Sequence, residues 1–427
     1  MQRPPILDAF EYASFRKVWA ASFVSQLGDW MQIIGRGLLA YDLTGKASSV
    51  GIVYAATYAP QLVLGLWAGA LADKFDRRRI LIVATVFQAL AAAAFGMLAS
   101  SGAATVLTVS LLSVAMGFAS SLMMPAYLAL APLVVPPSAL TSAISLQSST
   151  SALTRVVGPL LATLVAAQLG LPWLFWLNAI SFSAVLVAWF TTRVHQEKTE
   201  GGAGFSAIAE AFAYVKRTPE VAVPILTIVV IMLFGNVYQP LTVVFTTEVL
   251  ADGSKALGQT YFGYFQAAVG IGATIGILAL ARLGHLRPRL VLPMTTLVAS
   301  MFLVLLGLQT TALPAIVVVG IAGAFQFASI TICQNLVQHR VPDALRGRVM
   351  SIAMLGMMGS LPITSLVGAF LADAIGVGET LVLAGAVCVI YSIVLCVVLR
   401  QYLRADADEP DDPQLIAQLA YLIDEEG

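Results

Sequence analysis

The chain has little charge. Of its 427 residues only 11% are Asp, Glu, Lys or Arg, less than half the ~25% that soluble domains carry. So few charges cannot solvate several water-facing domains, which excludes a soluble enzyme. The 23 basic and 23 acidic residues cancel, so no basic field points to nucleic acid. Three cysteines, Cys333, Cys388 and Cys396, are too few for a disulfide framework or a four-cysteine zinc site. His195, His285 and His339 lie in or beside loops, far apart, and offer no metal centre. No nucleophile–base constellation or cofactor motif appears, so no cofactor is expected. There is no Walker A loop, so ATP cannot drive the chain by itself.

Apolar sequence is what the chain has in abundance: 59% of residues are hydrophobic and the mean hydropathy is +0.88. A membrane helix needs about 20 largely apolar residues to cross a ~30 Å hydrocarbon layer. Twelve such runs lie near 14–42, 48–72, 79–99, 104–131, 139–168, 172–192, 221–249, 257–281, 288–308, 313–338, 348–372 and 379–401. They lack the alternation of barrel strands, so the sequence predicts an all-α polytopic membrane protein. Arg16 and Lys17 introduce a long span without a small-residue cleavage site, unlike a signal peptide.

The bases fix the expected orientation. Nineteen of the 23 fall on the face shared by both termini, against Lys46 and Lys255 on the other; Arg36 and Arg155 lie inside spans. The positive-inside rule then puts both termini in the cytoplasm. The expected division is a first six-helix half (14–192), a cytoplasmic middle loop (193–220), a second half (221–402) and an acidic cytoplasmic tail (403–427). The halves share weak similarities at an offset of about 206 residues, such as Pro137-Ser138-Ala139-Leu140 and Pro342-Asp343-Ala344-Leu345. A duplicated six-helix unit suits a rocker-type transporter with its site between halves, near the midplane.

Between spans two and three stands Gly69-Ala70-Leu71-Ala72-Asp73-Lys74-Phe75-Asp76-Arg77-Arg78-Arg79-Ile80. It resembles the signature loop of the major facilitator superfamily, with Asp76 in place of the usual second glycine. The resemblance implies a conformational latch built from Gly69, Asp73, Arg77 and Arg78, with Arg348 as the candidate partner of Asp73. Further stretches resemble the enterobactin-exporter and macrolide-efflux branch, the transmembrane secretion effectors. They include Gln26-Leu27-Gly28-Asp29-Trp30-Met31-Gln32, Leu43-Thr44-Gly45, Pro125-Ala126, Val157-Gly158-Pro159, Arg287-Pro288 and Arg346-Gly347-Arg348. The chain departs from the pattern of many proton antiporters at Ser113, where span four would carry an arginine, and at Ala162 and Ala166, where span five would carry glycines, so the resemblance alone does not carry over a proton-coupling mechanism.

Charge at a helix centre costs at least ~2.5–3.5 kcal/mol and marks function by default. Asp29, Arg36 and Arg155 are the candidates for proton coupling or intramembrane charge. Asp29 lies ~21 Å into its helix, and Arg36 follows two turns later on the same face. Asp29 reads as a carboxylate that exchanges a proton, as a permanently ionised partner of an arginine, or as a group facing a wide vestibule. Arg155 reads as its counter-ion or as a holder of anionic substrate.

Ser22, Ser25, Gln26, Asp29, Gln32 and Arg36 form a polar stripe on span one. Tyr54, Thr57, Tyr58 and Gln61 follow on span two, and Asn236, Gln239, Gln266 and Gln326 on the second half. Inside a bilayer such groups line water or pair with each other, and together they form the candidate substrate cavity. The resulting expectation is a monomeric secondary transporter of the bacterial inner or plasma membrane. It would use alternating access and protons to export an amphipathic small molecule, drugs and siderophores being implied by the resemblance. A lipid or lysolipid translocator of the same fold and a transport-inactive sensor or scaffold are the alternatives.

Overall fold

A backbone crossing hydrocarbon must satisfy every N–H and C=O internally, and long apolar runs do so as helices. The computed structural model describes residues 5–74, 76–128, 134–192, 205–282 and 288–405. The first six long helices are α1 (Ala13–Thr44), α2 (Ala47–Lys74), α3 (Arg77–Ser101), α4 (Val106–Leu128), α5 (Leu140–Leu169) and α6 (Pro172–Thr191). A short amphipathic helix, α7 (Phe205–Arg217), leads into α8 (Pro219–Val249) and α9 (Lys255–Arg282). The set closes with α10 (Pro288–Gly307), α11 (Ala312–Arg340), α12 (Asp343–Ile375) and α13 (Val377–Ala405). Among the described residues nine helices have the length and hydropathy to cross a membrane. With α1, α2 and α10 they make twelve transmembrane helices in two six-helix halves. In α1 the stripe from Ser22 to Gln32 lowers the hydropathy.

Packing repeats between the halves. α2 packs on α4 and α3 on α6, as α9 packs on α11 and α10 on α13. The halves meet along α2–α12 and α5–α9. Since α9 is the counterpart of α2 and α12 that of α5, the two seams are related by a pseudo-two-fold, as a duplicated unit requires. The backbone of α8 departs from the pattern of its counterpart α1, which is continuous. π-helical turns occupy Ile231–Gly235 and Phe245–Val249. The Thr364 hydroxyl of α12 donates to the Leu233 carbonyl at 2.5 Å, satisfying an acceptor at the break.

The two faces of the bundle are fastened differently. At the face away from the termini, ties run between halves. The Tyr41 hydroxyl donates to Glu248, and Lys255 Nζ stands 2.7 Å from Asp42. Asp373 of α12 accepts from the Ala47 and Ser48 N–H groups at 2.8 and 3.0 Å, capping the start of α2 from the other half. Gly51 lets this seam close, because a Cβ there would strike the Ser365 carbonyl and the Ala369 methyl. At the termini face none of the described ion pairs joins the first half to the second: Arg340 pairs with Glu220 at 2.6 Å and Arg348 with Glu210 of α7 at 3.2 Å. Arg78 likewise donates to the Trp189 and Phe190 carbonyls of its own half at 3.0 and 3.3 Å.

Candidate functional site

The polar stripe of α1 does not face the seam between halves. It faces a cavity of about 470 Å³ whose described lining comes entirely from α1 to α6. Ser22, Ser25, Gln26, Asp29, Gln32 and Arg36 form one wall, and Thr57, Tyr58 and Gln61 of α2 a second. The cavity runs from Arg36 to Leu81, Met123 and Trp189 near the termini face. The sequence leads one to expect a cavity between halves; helical spacing shows which face is polar but not which neighbour that face meets.

The neighbours of Asp29 include α6. The Asn178 amide donates to the Gln32 side-chain carbonyl and lies within hydrogen-bonding reach of the Asp29 carboxylate. The Ser181 hydroxyl, in turn, is 3.0 Å from Asn178 Oδ1. Asn178 is fully buried, and Gly28 is what admits it: a Cβ at Gly28 would strike the Asn178 and Ser181 side chains. Gln26 anchors the next turn, accepting from Ser151 at 3.1 Å and Thr154 at 3.3 Å of α5.

Arg36 is the only buried charged side chain among the described residues, 8% exposed. Its Nη1 donates to the Thr57 hydroxyl at 3.0 Å and its Nε to the Gln32 carbonyl at 3.4 Å. Tyr54 stands beside it, lining a further recess of about 10 Å³ with Thr57 and Tyr58. None of the ion pairs among the described residues involves Asp29, Arg36 or Arg155.

Arg155 points elsewhere. Its guanidinium lies over the Phe327 ring of α11, 4.7 Å from the centroid, and faces Tyr238 of α8. This corrects the expectation that it is the counter-ion of Asp29. Ser151 and Thr154 form the face of α5 that meets α1, and Arg155 sits about 100° further round. It therefore reaches the second half.

The remaining candidates scatter. Gln326 lines a recess of about 20 Å³ inside the second half, with Tyr238, Ser300 and Cys388. Asn236 and Gln266 are buried and Gln239 is partly buried; none of the three lines the large cavity. Of the latch residues, the side chains of Gly69, Asp73 and Arg77 lie outside the described residues, as do 193–204 and 406–427. Arg348 pairs with Glu210. Asp76 caps α3 through the Arg78 and Arg79 N–H groups at 2.9 and 3.2 Å, which accounts for an acid where the signature has glycine.

Three groups are not apparent from the sequence: Gln88 and Ser120, which line the cavity, and Asn178, which is buried behind its α1 wall. Gln88 donates to Ser120 at 3.2 Å across α3 and α4. A lone amide in the apolar run of α6 and another in that of α3 were the available signals.

Twelve helices in two repeated halves, with a polar cavity holding an acid and a base, define a membrane transporter of the major facilitator type. The chain belongs to the transmembrane secretion effector family, whose pattern matches residues 6–425. It is 27% identical over 376 residues to the staphyloferrin A transporter of Staphylococcus aureus, covering 86% of this chain and 91% of that one. It is 24% identical to the enterobactin exporter EntS of Escherichia coli, covering 79% and 80% of the two chains. It is 27% identical to the multidrug efflux pump Tap of Mycolicibacterium fortuitum, covering 84% and 89%. The fold matches that of the nucleoside transporter NupG with a TM-score of 0.71 over 91% of this chain and 99% of the other, at 13% identity.

Proposed function

We propose that this transporter is a proton-coupled exporter of an amphipathic small molecule, a siderophore or a drug, working by alternating access. The observation that carries the reading is the cavity joining Asp29 and Arg36 to the termini face while the opposite face is tied shut between halves. The distribution of bases makes the termini face cytoplasmic, so the solute enters from the cell interior. The siderophore transporter and multidrug pump among the relatives support the solute class.

Asp29 is the proton site in this reading. A hydrogen-bond donor on the solute and a proton compete for the same carboxylate, which is what antiport needs. Loading favours release of the Tyr41–Glu248, Asp42–Lys255 and Asp373–α2 ties, and the cavity opens outward. A proton from outside then displaces the solute, and the ties re-form. One proton crossing ~100 mV supplies about 2.3 kcal/mol, enough for roughly a 50-fold gradient of a neutral solute. The functional units are the halves 14–192 and 221–402, joined by the loop 193–220 and followed by the tail 403–427, in a monomer. The loop from Gly69 to Arg78, with Arg348, acts as the latch between conformations at the cytoplasmic face.

The test is accumulation by everted membrane vesicles containing the protein. The panel is a catecholate, a hydroxamate and a carboxylate siderophore together with a set of amphipathic drugs. Accumulation of a panel member that collapses with the imposed pH gradient is expected. Accumulation of none of them contradicts the reading.

A further inference from the structure

The recess beside Arg36 gathers hydrogen-bond donors without an acceptor to match them. Arg36 carries five N–H groups in a planar fork, and its protein hydrogen bonds are the two made by Nε and Nη1. Thr57 is already spent, since its own hydroxyl proton goes to the Val53 carbonyl at 2.9 Å. Tyr54 is 5% exposed, and its buried hydroxyl has no hydrogen-bond partner. The Tyr58 side chain lines the same recess. Unpartnered buried donors are costly, and here they converge on a cation that has no ion-pair partner among the described residues. Asp29, two helical turns away on the same face, makes no ion pair with it.

The charge inventory agrees. Asp29, Arg36 and Arg155 are the charged residues in the interior stretches of the spans, giving an excess of one positive charge in a low-dielectric region. A monoanion restores neutrality, whereas a cationic solute adds to the excess. A phosphate monoester, near −2 at neutral pH, would overshoot it. A carboxylate matches both the charge and the planar guanidinium fork.

We propose that Arg36 and Tyr58, at the end of the large cavity that adjoins the Tyr54 recess, anchor a carboxylate group of the transported solute, the rest of which lies along the cavity toward Asp29. This rests on the reading of that cavity as the transport site. Anchoring one oxyanion end fixes the solute's register, so that its donor groups meet Asp29 two helical turns away.

Dansylglycine and dansylglycinamide share a fluorophore and differ in whether they carry a carboxylate. Titrating the purified full-length protein with each, and following dansyl emission, measures the preference directly. The wild type is expected to bind dansylglycine about 10-fold or more tighter than the amide. Arg36→Gln should erase that preference. Tyr54→Phe removes one unpartnered hydroxyl without disturbing a protein contact, so the variant remains folded. It should shrink the preference about 3-fold. Equal binding of both probes by the wild type, no saturable binding of dansylglycine, or a preference surviving Arg36→Gln overturns the proposal. If pH-driven vesicle accumulation persists alongside equal probe binding, the transport reading stands and only the carboxylate subsite falls.

Discussion

Arg155 of α5 lies over the ring of Phe327 of α11, its guanidinium carbon 4.7 Å from the ring centroid. The pair crosses from one half of the transporter to the other and gives a partly buried cation its only described ring contact. A cation–π pair withdrawn from water is worth about 2 kcal/mol and depends on the planar guanidinium.

Arg155→Lys keeps the charge and loses the planar guanidinium. Arg155→Lys and Phe327→Leu are each expected to slow transport about 3- to 10-fold, and the double variant to be no slower than the worse single one. A double-mutant cycle on transport rate checks this; additive effects would mean that the two residues act independently.

The outer seal is expected to depend on Asp373. In Asp373→Ala the Ala47 and Ser48 N–H groups lose their acceptor, a cap worth about 1 kcal/mol, or roughly a 5-fold change in the ratio of closed to open states. Spin labels at the exposed positions Lys46 and Ala374 report the gap between α2 and α12. Their long-distance population should grow in Asp373→Ala, and an unchanged distribution would show that the cap does not hold the seal.

Asn178 is expected to position Asp29. Asn178→Ala leaves the Gln32 side-chain carbonyl without its amide donor and removes the amide beside the Asp29 carboxylate, at a cost of about 1–3 kcal/mol. The thermal midpoint should fall, and the pH at which transport is half-maximal should move as well. Gly28→Ala, which pushes on the same two α6 side chains, should produce the same pair of effects. A fall in stability with an unmoved pH profile would make Asn178 a packing residue only.

The twelve helices were legible from the sequence because apolar length is a strong signal. Each run falls on one helix, with ends displaced by a few residues; the run 348–372 extends to Asp343–Ile375. The stripe on α1 was legible too, since Gln26, Asp29, Gln32 and Arg36 repeat at helical spacing. What spacing withholds is the rotation of each helix against its neighbours. Asn236 and Gln266 thus looked like cavity residues, although they are buried elsewhere in the second half. Arg155, one residue past Thr154, turned out to serve a different interface. Asn178 stayed invisible because its role is made by α6 approaching Gly28, a contact between segments some 150 residues apart.

The central claim is that Asp29 exchanges the coupling proton inside the first-half cavity. The most direct measurement compares wild type and Asp29→Asn in proteoliposomes, using the panel compound that wild-type vesicles accumulate and an imposed pH gradient. Wild-type accumulation is expected to follow the gradient. Asp29→Asn should still equilibrate the compound but lose the gradient-driven excess. An Asp29→Asn protein that concentrates it with undiminished proton dependence would contradict the account.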